Sequence, residues 1–263
     1  MMIELGYNKN EKRIKTTFPL INSVLNGLQD GSIFSDTGND QSIFVLHKAG
    51  FSYLMSISEV DYLGFCKLMI GSKKIPEYFH MYDADYSLIS FFEGEKDRVN
   101  IKVRKRVQLK FEKKTIEKDN FLLPSNYSIE MISLQNFAKL SVFNLKLETK
   151  FWRSEDDFLR NGFGYCVFNE LNLPVSICYS ACIANKIAEI DVATLTEYLN
   201  MGFAKAVVAS FVQHCIKYDI IANWDCFQDN FSSLKTAWSI GFTHVTTYNL
   251  LSIFNKMKYN ETA

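Results

Sequence analysis

The sequence predicts an α/β protein whose main part is a mixed, twisted sheet with helices on both faces. Three observations carry this prediction. Strand-like and helix-like patterns alternate along residues 127–263, the 263 residues are enough for one large or two smaller domains, and 48% of them are hydrophobic. Only 22% are charged, which excludes a disordered chain, and a core of this size needs no disulfide or metal.

The first part of the chain predicts a smaller α+β domain. Apolar residues at helical spacing predict helices, and short apolar runs bounded by turn residues predict strands. Along 101–111, apolar side chains alternate with basic ones, which predicts a half-buried strand with a basic outer face. The predicted helices span 18–28 and 61–70, and the predicted strands span 32–36, 42–47 and 101–111, with a turn at 38–40.

A change in composition predicts a domain boundary near Pro124. Residues 112–126 first become highly charged and then end in Pro-Ser-Asn, which is typical of a linker. We therefore expect an N-terminal domain over 1–126 and a second domain over 127–263.

The second part alternates strands and helices more regularly. Ser154 precedes three acidic residues and predicts the start of a helix, because a serine oxygen and carboxylates stabilise the free amides there. The predicted strands span 128–132, 164–168, 175–183, 186–194 and 220–226, the predicted helices span 134–147, 154–160, 202–217 and 232–240, and a last strand begins at 241–242.

Composition and charge exclude several classes of function. The 29 basic residues balance 29 acidic ones, so no overall basic field would steer the protein to nucleic acid. No apolar run approaches membrane-spanning length, and residues 1–17 lack the apolar segment of a secretory signal. The cysteines and histidines form no CxxC or HExxH spacing. We expect a cytoplasmic protein without metal, membrane or nucleic-acid partners.

The segment around Gly202 is the strongest chemical signal in the sequence. A predicted strand ends near residue 194, and a predicted helix begins at Gly202. The start of a helix offers unpaired N–H groups and a positive dipole end to an anion such as phosphate. The small residues Gly202 and Ala204 would let a ligand approach the backbone closely. A glycine at this junction also fits a simple turn.

The order of elements around this segment resembles the GCN5-related N-acetyltransferase (GNAT) superfamily. Within it, the chain resembles the bacterial subgroup that includes the zwittermicin A resistance acetyltransferase. The resemblance covers most of the chain and is most specific in its second half. The residues that carry it are Glu189-Ile190-Asp191 with Thr194, Tyr198-x-x-x-Gly202-Phe203-Ala204, Trp224-Asp225-Cys226, Asn230-x-x-Ser233 and Ile240-Gly241-Phe242.

This resemblance implies a site for acetyl-CoA as co-substrate. The pyrophosphate loop of the family, Arg/Gln-x-x-Gly-x-Gly/Ala, falls on 199–204, where Leu199 replaces the leading Arg or Gln. Asn230 also fits an ordinary helix cap. The implied cofactor-binding residues are Asn200, Met201, Gly202, Phe203, Ala204, Asn230 and Ser233.

Two carboxylates on the predicted strand 186–194 are candidates for the general base. Ile190 and Val192 share one face of this strand, and Glu189 and Asp191 point to the other. In GNATs this strand lies beside the pantetheine arm of coenzyme A, which implies that a carboxylate on it can take a proton from the acceptor amine. We favour Glu189 over Asp191. The alternative is that both are solvated at a sheet edge.

The resemblance leaves the proton donor to the departing thiolate unassigned. Many GNATs place a tyrosine seven residues after the asparagine, and that position is Ala237 here. Tyr248, Ser233 and Cys226 are candidates to replace it, and we include Tyr248 with Glu189 and Asp191 among the expected catalytic residues. A covalent route through Cys226 is disfavoured, because no His or acid stands at a motif spacing to activate it.

We therefore expect an acetyl-CoA-dependent N-acetyltransferase that acts on a small amine by direct transfer. The alternative is a non-catalytic GNAT-fold module that binds acyl-CoA or has a regulatory role, and Leu199 and Ala237 motivate it. An oxidoreductase is disfavoured because no GxGxxG follows a predicted strand. The first domain is a candidate diverged GNAT-like half.

Overall fold

The computed structural model describes residues 2–5, 16–36, 42–56, 62–116 and 121–256. The chain forms two compact units. The first comprises Met1–Arg106 together with Thr247–Ala263, and the second comprises Val107–Thr246. The C-terminal segment therefore returns to the first unit, which the sequence does not predict.

The first unit contains a mixed sheet and three helices within its described residues. Its elements are β1 (Met2–Leu5), α1 (Pro19–Leu25), β2 (Gly31–Asp36), β3 (Ser42–His47), β4 (Phe51–Ser56), α2 (Tyr62–Gly71), β5 (Tyr78–Met81), α3 (Tyr86–Gly94) and the first part of β6 (Val99–Phe111). Strands β1 to β4 pair antiparallel in chain order, and β4 pairs with β5 in parallel. All six residues of β3 are buried, as expected for an interior strand.

The second unit repeats this plan, and its third, fourth and fifth strands are longer than those of the first unit. Its elements are β7 (Ser128–Met131), a 3-10 helix (Phe137–Phe143), α4 (Leu147–Lys150), α5 (Glu155–Asn161), β8 (Gly164–Phe168), β9 (Pro174–Ala184), β10 (Ile187–Thr194), a 3-10 turn (Thr196–Tyr198), α6 (Phe203–Lys217), β11 (Ile221–Phe227), α7 (Phe231–Ile240) and the first part of β12 (Thr243–Asn255). Strands β7 to β10 pair antiparallel in chain order, and β10 pairs with β11 in parallel. These pairings confirm the predicted mixed α/β sheet.

Each sheet is completed by the long strand of the other half of the chain. In the first half, the antiparallel strands β2, β3 and β4 are followed by α2, then by β5, which is parallel to β4, and then by α3 and the long β6. In the second half, β8, β9 and β10 are followed in the same way by α6, β11, α7 and the long β12. In the first unit, however, β5 pairs antiparallel with β12, from Leu251 opposite Met81 to Phe254 opposite Tyr78. In the second unit, β11 lies beside β6. Strand pairing over long sequence distances therefore places the division inside β6 and β12, and not near Pro124 as the change in composition predicted.

Local sequence signals predict most of the helices and strands, with one clear error. The helix predicted at 134–147 is wrong, because Asn144 and Lys146 have φ of 50° and 48°, which an α-helix does not tolerate. The cap at Ser154 is confirmed, since its Oγ accepts a hydrogen bond from Asp157 N–H at 3.1 Å. The predicted turn at 38–40, Asp61 and residues 117–120 lie outside the described residues.

Helix α6 is held firmly on the sheet of the second unit. It packs against β8, β9 and β10. Phe211 on this helix stacks on Phe163 with ring centroids 4.4 Å apart, and His214 stacks on the same ring at 3.9 Å. Val207 and Val212 are fully buried in the same core. This packing fixes the position of the start of α6 relative to β10.

The cysteines behave as buried apolar residues. All six are free thiols with buried side chains. Burial raises the pKa of Cys178 and of Cys182 well above the usual thiol range, so both stay protonated. In the described ranges, no three or more His, Cys, Asp or Glu side chains are grouped to hold a metal ion. No helix there is long and apolar enough to span a bilayer.

A buried histidine network lies in the first unit. His47 is fully buried, and its Nδ1 accepts a hydrogen bond from Ala49 N–H at 3.0 Å. Its Nε2 therefore carries the proton in the neutral ring and lies 3.1 Å from Gln29 Oε1, which also accepts from Ser23 Oγ at 2.8 Å. Burial, with Lys48 adding a smaller effect, lowers the pKa of His47 to about 3.

The low pKa of His47 predicts how the stability of the protein depends on pH. Between pH 6.5 and about pH 3, the unfolded chain binds a proton at His47 that the native state does not. The free energy of unfolding should therefore fall as the pH decreases, by up to about 1.4 kcal/mol per pH unit from this one site. Denaturant titrations of the parent and of His47→Gln at several pH values measure it. A parent and variant with the same pH slope would contradict the assignment.

Candidate active site

A fork between two parallel strands opens the candidate site in the second unit. β10 and β11 pair only from Ile187 opposite Ile221 to Glu189 opposite Asn223, whereas β10 continues beside β9 as far as Thr194. Beyond Glu189 the two parallel strands separate. A cavity of about 510 Å³ lies at this opening, and we call it the fork cavity. Val192 to Thr194 of β10 and Trp224 of β11 contribute to its lining.

The start of α6 forms one wall of the fork cavity. Gly202 caps this helix with φ of 84°, in the left-handed region that favours glycine. The first helical hydrogen bond runs from Ala206 N–H to Gly202 C=O at 3.1 Å, so the amides of residues 203–205 precede the helical ladder. Apart from its two neighbouring residues, a Cβ at Gly202 would meet no heavy atom within 4 Å. The space in front of these amides is therefore open to an anion.

The structure brings most of the predicted cofactor residues to this cavity. Asn200, Gly202, Phe203 and Ala204 line it, as does Leu199, the departure from the family motif. The side chain of Met201 is about half exposed and does not line the cavity. Asn200 also has a left-handed backbone, with φ of 63°, which tightens the turn into the helix.

The start of α7 forms another wall. Asn230 lines the cavity and caps α7, since its Oδ1 accepts hydrogen bonds from Ser233 N–H at 3.2 Å and Ser232 Oγ at 3.0 Å. Ser233 Oγ accepts a hydrogen bond from Trp224 Nε1 at 3.0 Å. Asn230 therefore caps α7 and also lines the cavity, so the two interpretations that the sequence left open do not exclude each other. The Ser233 hydroxyl also has a structural partner, so it helps to shape the wall.

Two lysines give the fork cavity positive charge. Lys205 lies in the first turn of α6, and Lys235 lies on α7. Both line the cavity, and neither forms an ion pair with another described residue. Together with the positive end of α6, they make the cavity suitable for a ligand that carries several negative charges.

Glu189 lies at the point where the fork begins. It is 9% exposed, and its Oε2 accepts a hydrogen bond from Asn223 Nδ2 at 2.5 Å. Asn223 is fully buried, and its Oδ1 has no hydrogen-bond partner among the residues that the structure describes. Rotation of this amide would turn Oδ1 towards Glu189, where it could accept a hydrogen bond from a protonated carboxyl. The pair can therefore accommodate Glu189 with or without a proton. Glu189 itself does not line the cavity.

Asp191 has a different environment from Glu189. Its Oδ2 accepts a hydrogen bond from Tyr179 OH at 2.7 Å and lies 3.3 Å from Lys150 Nζ. Tyr179 is fully buried. Asp191 is thus engaged in a local hydrogen-bond and ion-pair network, which suits a structural role better than proton transfer.

The candidates for the proton donor are dispersed. Tyr248 belongs to the first unit, where its ring packs edge-on against Phe18 at 5.0 Å and near Tyr82 at 5.9 Å. Ala237 is fully buried in the core of the second unit, and Cys226 is buried in the same core. Within the second unit, the described residues bring no tyrosine to the position that the family usually fills.

One family model matches almost the whole chain. The family model described as GNAT acetyltransferase matches residues 12–251. This chain belongs to the GNAT acetyltransferase family. The forked strands, the glycine before α6 and the asparagine at α7 are therefore features of a GNAT chain, and the enzyme class to which the family belongs is the N-acetyltransferases.

Individual relatives support the same family. The chain is 31% identical over 146 residues to the uncharacterized N-acetyltransferase YdfB of Bacillus subtilis (strain 168), an alignment that covers 56% of this chain and 55% of the relative. The alignment thus spans about half the length of that curated relative.

Solved GNAT structures share the fold. A GCN5-related N-acetyltransferase-like protein from Streptococcus suis 89/1591 has a TM-score of 0.67 at 21% identity, with 92% of this chain and 94% of that chain covered. A tandem GNAT protein from the clavulanic acid biosynthesis pathway has a TM-score of 0.63 at 9% identity, with 96% and 97% covered. At these identities the similarity establishes the fold.

Sequence reasoning missed three residues of this GNAT site. Lys205 and Lys235 belong to no family motif, and only the placement of α6 and α7 brings them to one cavity. Asn223 directly precedes the quoted Trp224, but its contact with Glu189 depends on the register between β10 and β11. The sequence gives only a weak signal for Asn223, because an asparagine among the apolar residues Ile221, Ala222 and Trp224 is unusual in a protein core.

Proposed function

We propose that this chain is an acetyl-CoA-dependent N-acetyltransferase that transfers the acetyl group directly to a small amine. One observation carries the proposal. The fork between β10 and β11 combines an open helix start at Gly202 with a buried carboxylate at Glu189, where the two strands last pair. The first feature suits the phosphates of coenzyme A, and the second suits removal of a proton from an amine.

The fork cavity supports binding of the co-substrate. The pyrophosphate would lie against the N–H groups of residues 203–205, with Asn200 and Asn230 beside it. Lys205 and Lys235 would add positive charge for the remaining phosphate. Beyond Glu189, no strand of the described residues pairs with β10 on the β11 side, so the amide-rich pantetheine arm would hydrogen-bond to its backbone.

Glu189 is the proposed general base, acting directly or through a water molecule. It takes a proton from the acceptor ammonium, and the amine nitrogen then forms a bond to the thioester carbonyl carbon. The carbon–sulfur bond breaks and the acetyl group stays on the nitrogen, which loses its second proton to become the neutral amide. The thiolate leaves and takes up one proton, and Glu189 returns the proton it accepted to solvent. Asn223 holds the carboxylate in place during this cycle. Tyr248 remains a sequence-based proposal for the proton donor to the thiolate, although its ring lies in the first unit and lines a separate cavity there.

The acceptor class follows from the resemblance to the zwittermicin A resistance subgroup. We propose antibiotic-like amines and amino sugars as the first acceptors to test, with the reaction taking place in the cytoplasm. We also propose that the first unit is a diverged GNAT-like copy, since it repeats the element order of the second.

Titration calorimetry with acetyl-CoA tests the first step, and release of free thiol with a panel of amines tests the second. We expect saturable binding of acetyl-CoA and thiol release that depends on the amine. Absence of binding at millimolar acetyl-CoA would overturn the proposal. Binding without thiol release for any amine would favour the non-catalytic alternative, which Leu199 and Ala237 motivate.

The lysines allow a separate prediction about the cofactor. Lys235→Met should weaken binding of coenzyme A about three- to tenfold, through loss of one charge-assisted contact to phosphate. The same variant should affect 3′-dephospho-coenzyme A less if Lys235 contacts the 3′-phosphate. Lys217→Met, at the far end of α6, is the matched control and should bind both ligands like the parent. Equal losses for both ligands would place Lys235 elsewhere than at the 3′-phosphate.

A further inference from the structure

The first unit contains a second fork, built like the first but lined by different chemistry. β4 and β5 pair in parallel at only two positions, Phe51 opposite His80 and Ser52 opposite Met81. Beyond them lies a cavity of about 720 Å³. It occupies the position in the first unit that the fork cavity occupies in the second. We call it the tyrosine–aspartate cavity, and the lining residues that matter here are Tyr53, Tyr82, Tyr248, Asp83, Asp85 and Lys105.

The aromatic wall of this cavity is held in place by ring contacts. Tyr82 stacks on Phe18 with centroids 4.4 Å apart and on Phe51 at 5.3 Å. Tyr248 packs edge-on against Phe18 at 5.0 Å. Tyr82 and Tyr248 are each only about 5% exposed, so their rings are fixed before any ligand arrives. A fixed aromatic wall of this kind favours apolar groups and cations.

The backbone on either side of Asp83 is also fixed. Tyr82 N–H donates a hydrogen bond to Ser52 C=O at 2.8 Å. Ala84 N–H donates to Asn249 C=O at 3.1 Å, and Asn249 Nδ2 donates to Ala84 C=O at 3.2 Å. Between these anchors, Asp83 has φ of 54°, in the left-handed region. The fold therefore sets the backbone position from which the exposed Asp83 side chain extends.

The Asp83 carboxylate has no hydrogen-bond or ion-pair partner among the described residues. Its neighbour Asp85 caps α3, where its Oδ1 accepts from Leu88 N–H at 2.7 Å. Desolvation by the surroundings, and secondly the charge of Asp85, raise the pKa of Asp83. Desolvation and the charge of Asp83 raise the pKa of Tyr53. The lining carries two carboxylates against one lysine, Lys105, so its charge is opposite to that of the fork cavity.

We propose that the tyrosine–aspartate cavity binds a small organic ammonium ion, with the charge at Asp83 and the carbon substituents against the tyrosine wall. An unpaired carboxylate beside fixed aromatic rings attracts such a cation and repels phosphate. The site therefore recognises a ligand of opposite charge to coenzyme A. It lies wholly in the first unit and does not depend on acetyl transfer.

Choline and its neutral analogue 3,3-dimethylbutan-1-ol test this proposal on the full chain. The two molecules have nearly the same shape and differ in charge. Titration calorimetry, or NMR with observation of the ligand, should show saturable binding of choline and at least tenfold weaker binding of the alcohol. Equal affinities, or no saturation by choline at tens of millimolar, would overturn the proposal.

Variants locate the site. Asp83→Asn keeps the size and the tolerance of a left-handed backbone, so the fold should be retained, and it should weaken choline binding at least fivefold. Asp97→Asn, an exposed aspartate outside the cavity, is the matched control and should bind choline like the parent. Tyr53→Leu should also weaken choline binding. Unchanged affinity in both Asp83→Asn and Tyr53→Leu would exclude this cavity as the site. Choline binding should persist in Gly202→Glu, which separates this proposal from that of the coenzyme A site.

Discussion

Replacing Gly202 by glutamate should lower the affinity for coenzyme A at least tenfold, or about 1.4 kcal/mol. The new side chain would enter the open space before the first amides of α6, where no heavy atom outside the two neighbouring residues lies within 4 Å of a Cβ. There it would compete with phosphate for the same N–H groups and repel its charge. Titration calorimetry with coenzyme A measures the loss.

Two further substitutions at the same residue separate charge from backbone strain. Any side chain at Gly202 must adopt φ near 84°, which costs on the order of 1 kcal/mol of stability. Gly202→Ala and Gly202→Gln share this strain, and Gly202→Gln also matches the size of glutamate. We expect affinity to decrease in the order Ala, Gln, Glu while circular dichroism shows a folded chain in each case. A Gly202→Glu variant that binds like the parent would refute the phosphate site at α6.

The second large effect is expected at Glu189. Glu189→Gln should lower kcat at least about a hundredfold and leave the dissociation constant for coenzyme A unchanged, because the change removes a base and not a cofactor contact. Glutamine keeps an oxygen that can accept the hydrogen bond from Asn223, so the fold of the fork should be preserved. Steady-state kinetics with an accepted amine, together with calorimetry, measure the two quantities.

Asp191→Asn is the matched control for this prediction. Asp191 lies on the same strand, but Tyr179 and Lys150 already engage its carboxylate. We expect kcat to change less than about threefold and the stability to fall modestly, since a hydrogen bond to a charged group is lost. A large loss of kcat in Asp191→Asn with an active Glu189→Gln would transfer the role of base to Asp191.

The parts of the site that depend on local sequence could be predicted. A glycine before a helix, an asparagine at the next helix start and a serine followed by acids each determine the backbone within a few residues, and the structure has Gly202, Asn230 and Ser154 as helix caps. The mixed sheet could also be predicted, because strand and helix patterns are local and alternate along the sequence.

The parts that depend on distant pairing could not be predicted. Strands β1 and β5 have only four residues each, which is too few to give a period, and the contact between Glu189 and Asn223 requires the register of a parallel pair. The expected second domain, 127–263, includes Tyr248, yet β12 carries this residue into the first unit. No local pattern in 243–255 indicates which sheet that strand joins.

The exchange of β6 and β12 between the sheets affects how the protein is made on the ribosome. β5 emerges long before its partner β12, and the whole second unit is translated between them. At about 5–20 residues per second, this delay lasts roughly 9 to 34 s. During that time the edge of β5 has no native neighbour, and an unpaired edge invites association with other chains. The first half of the chain is therefore the part most in need of a chaperone during synthesis.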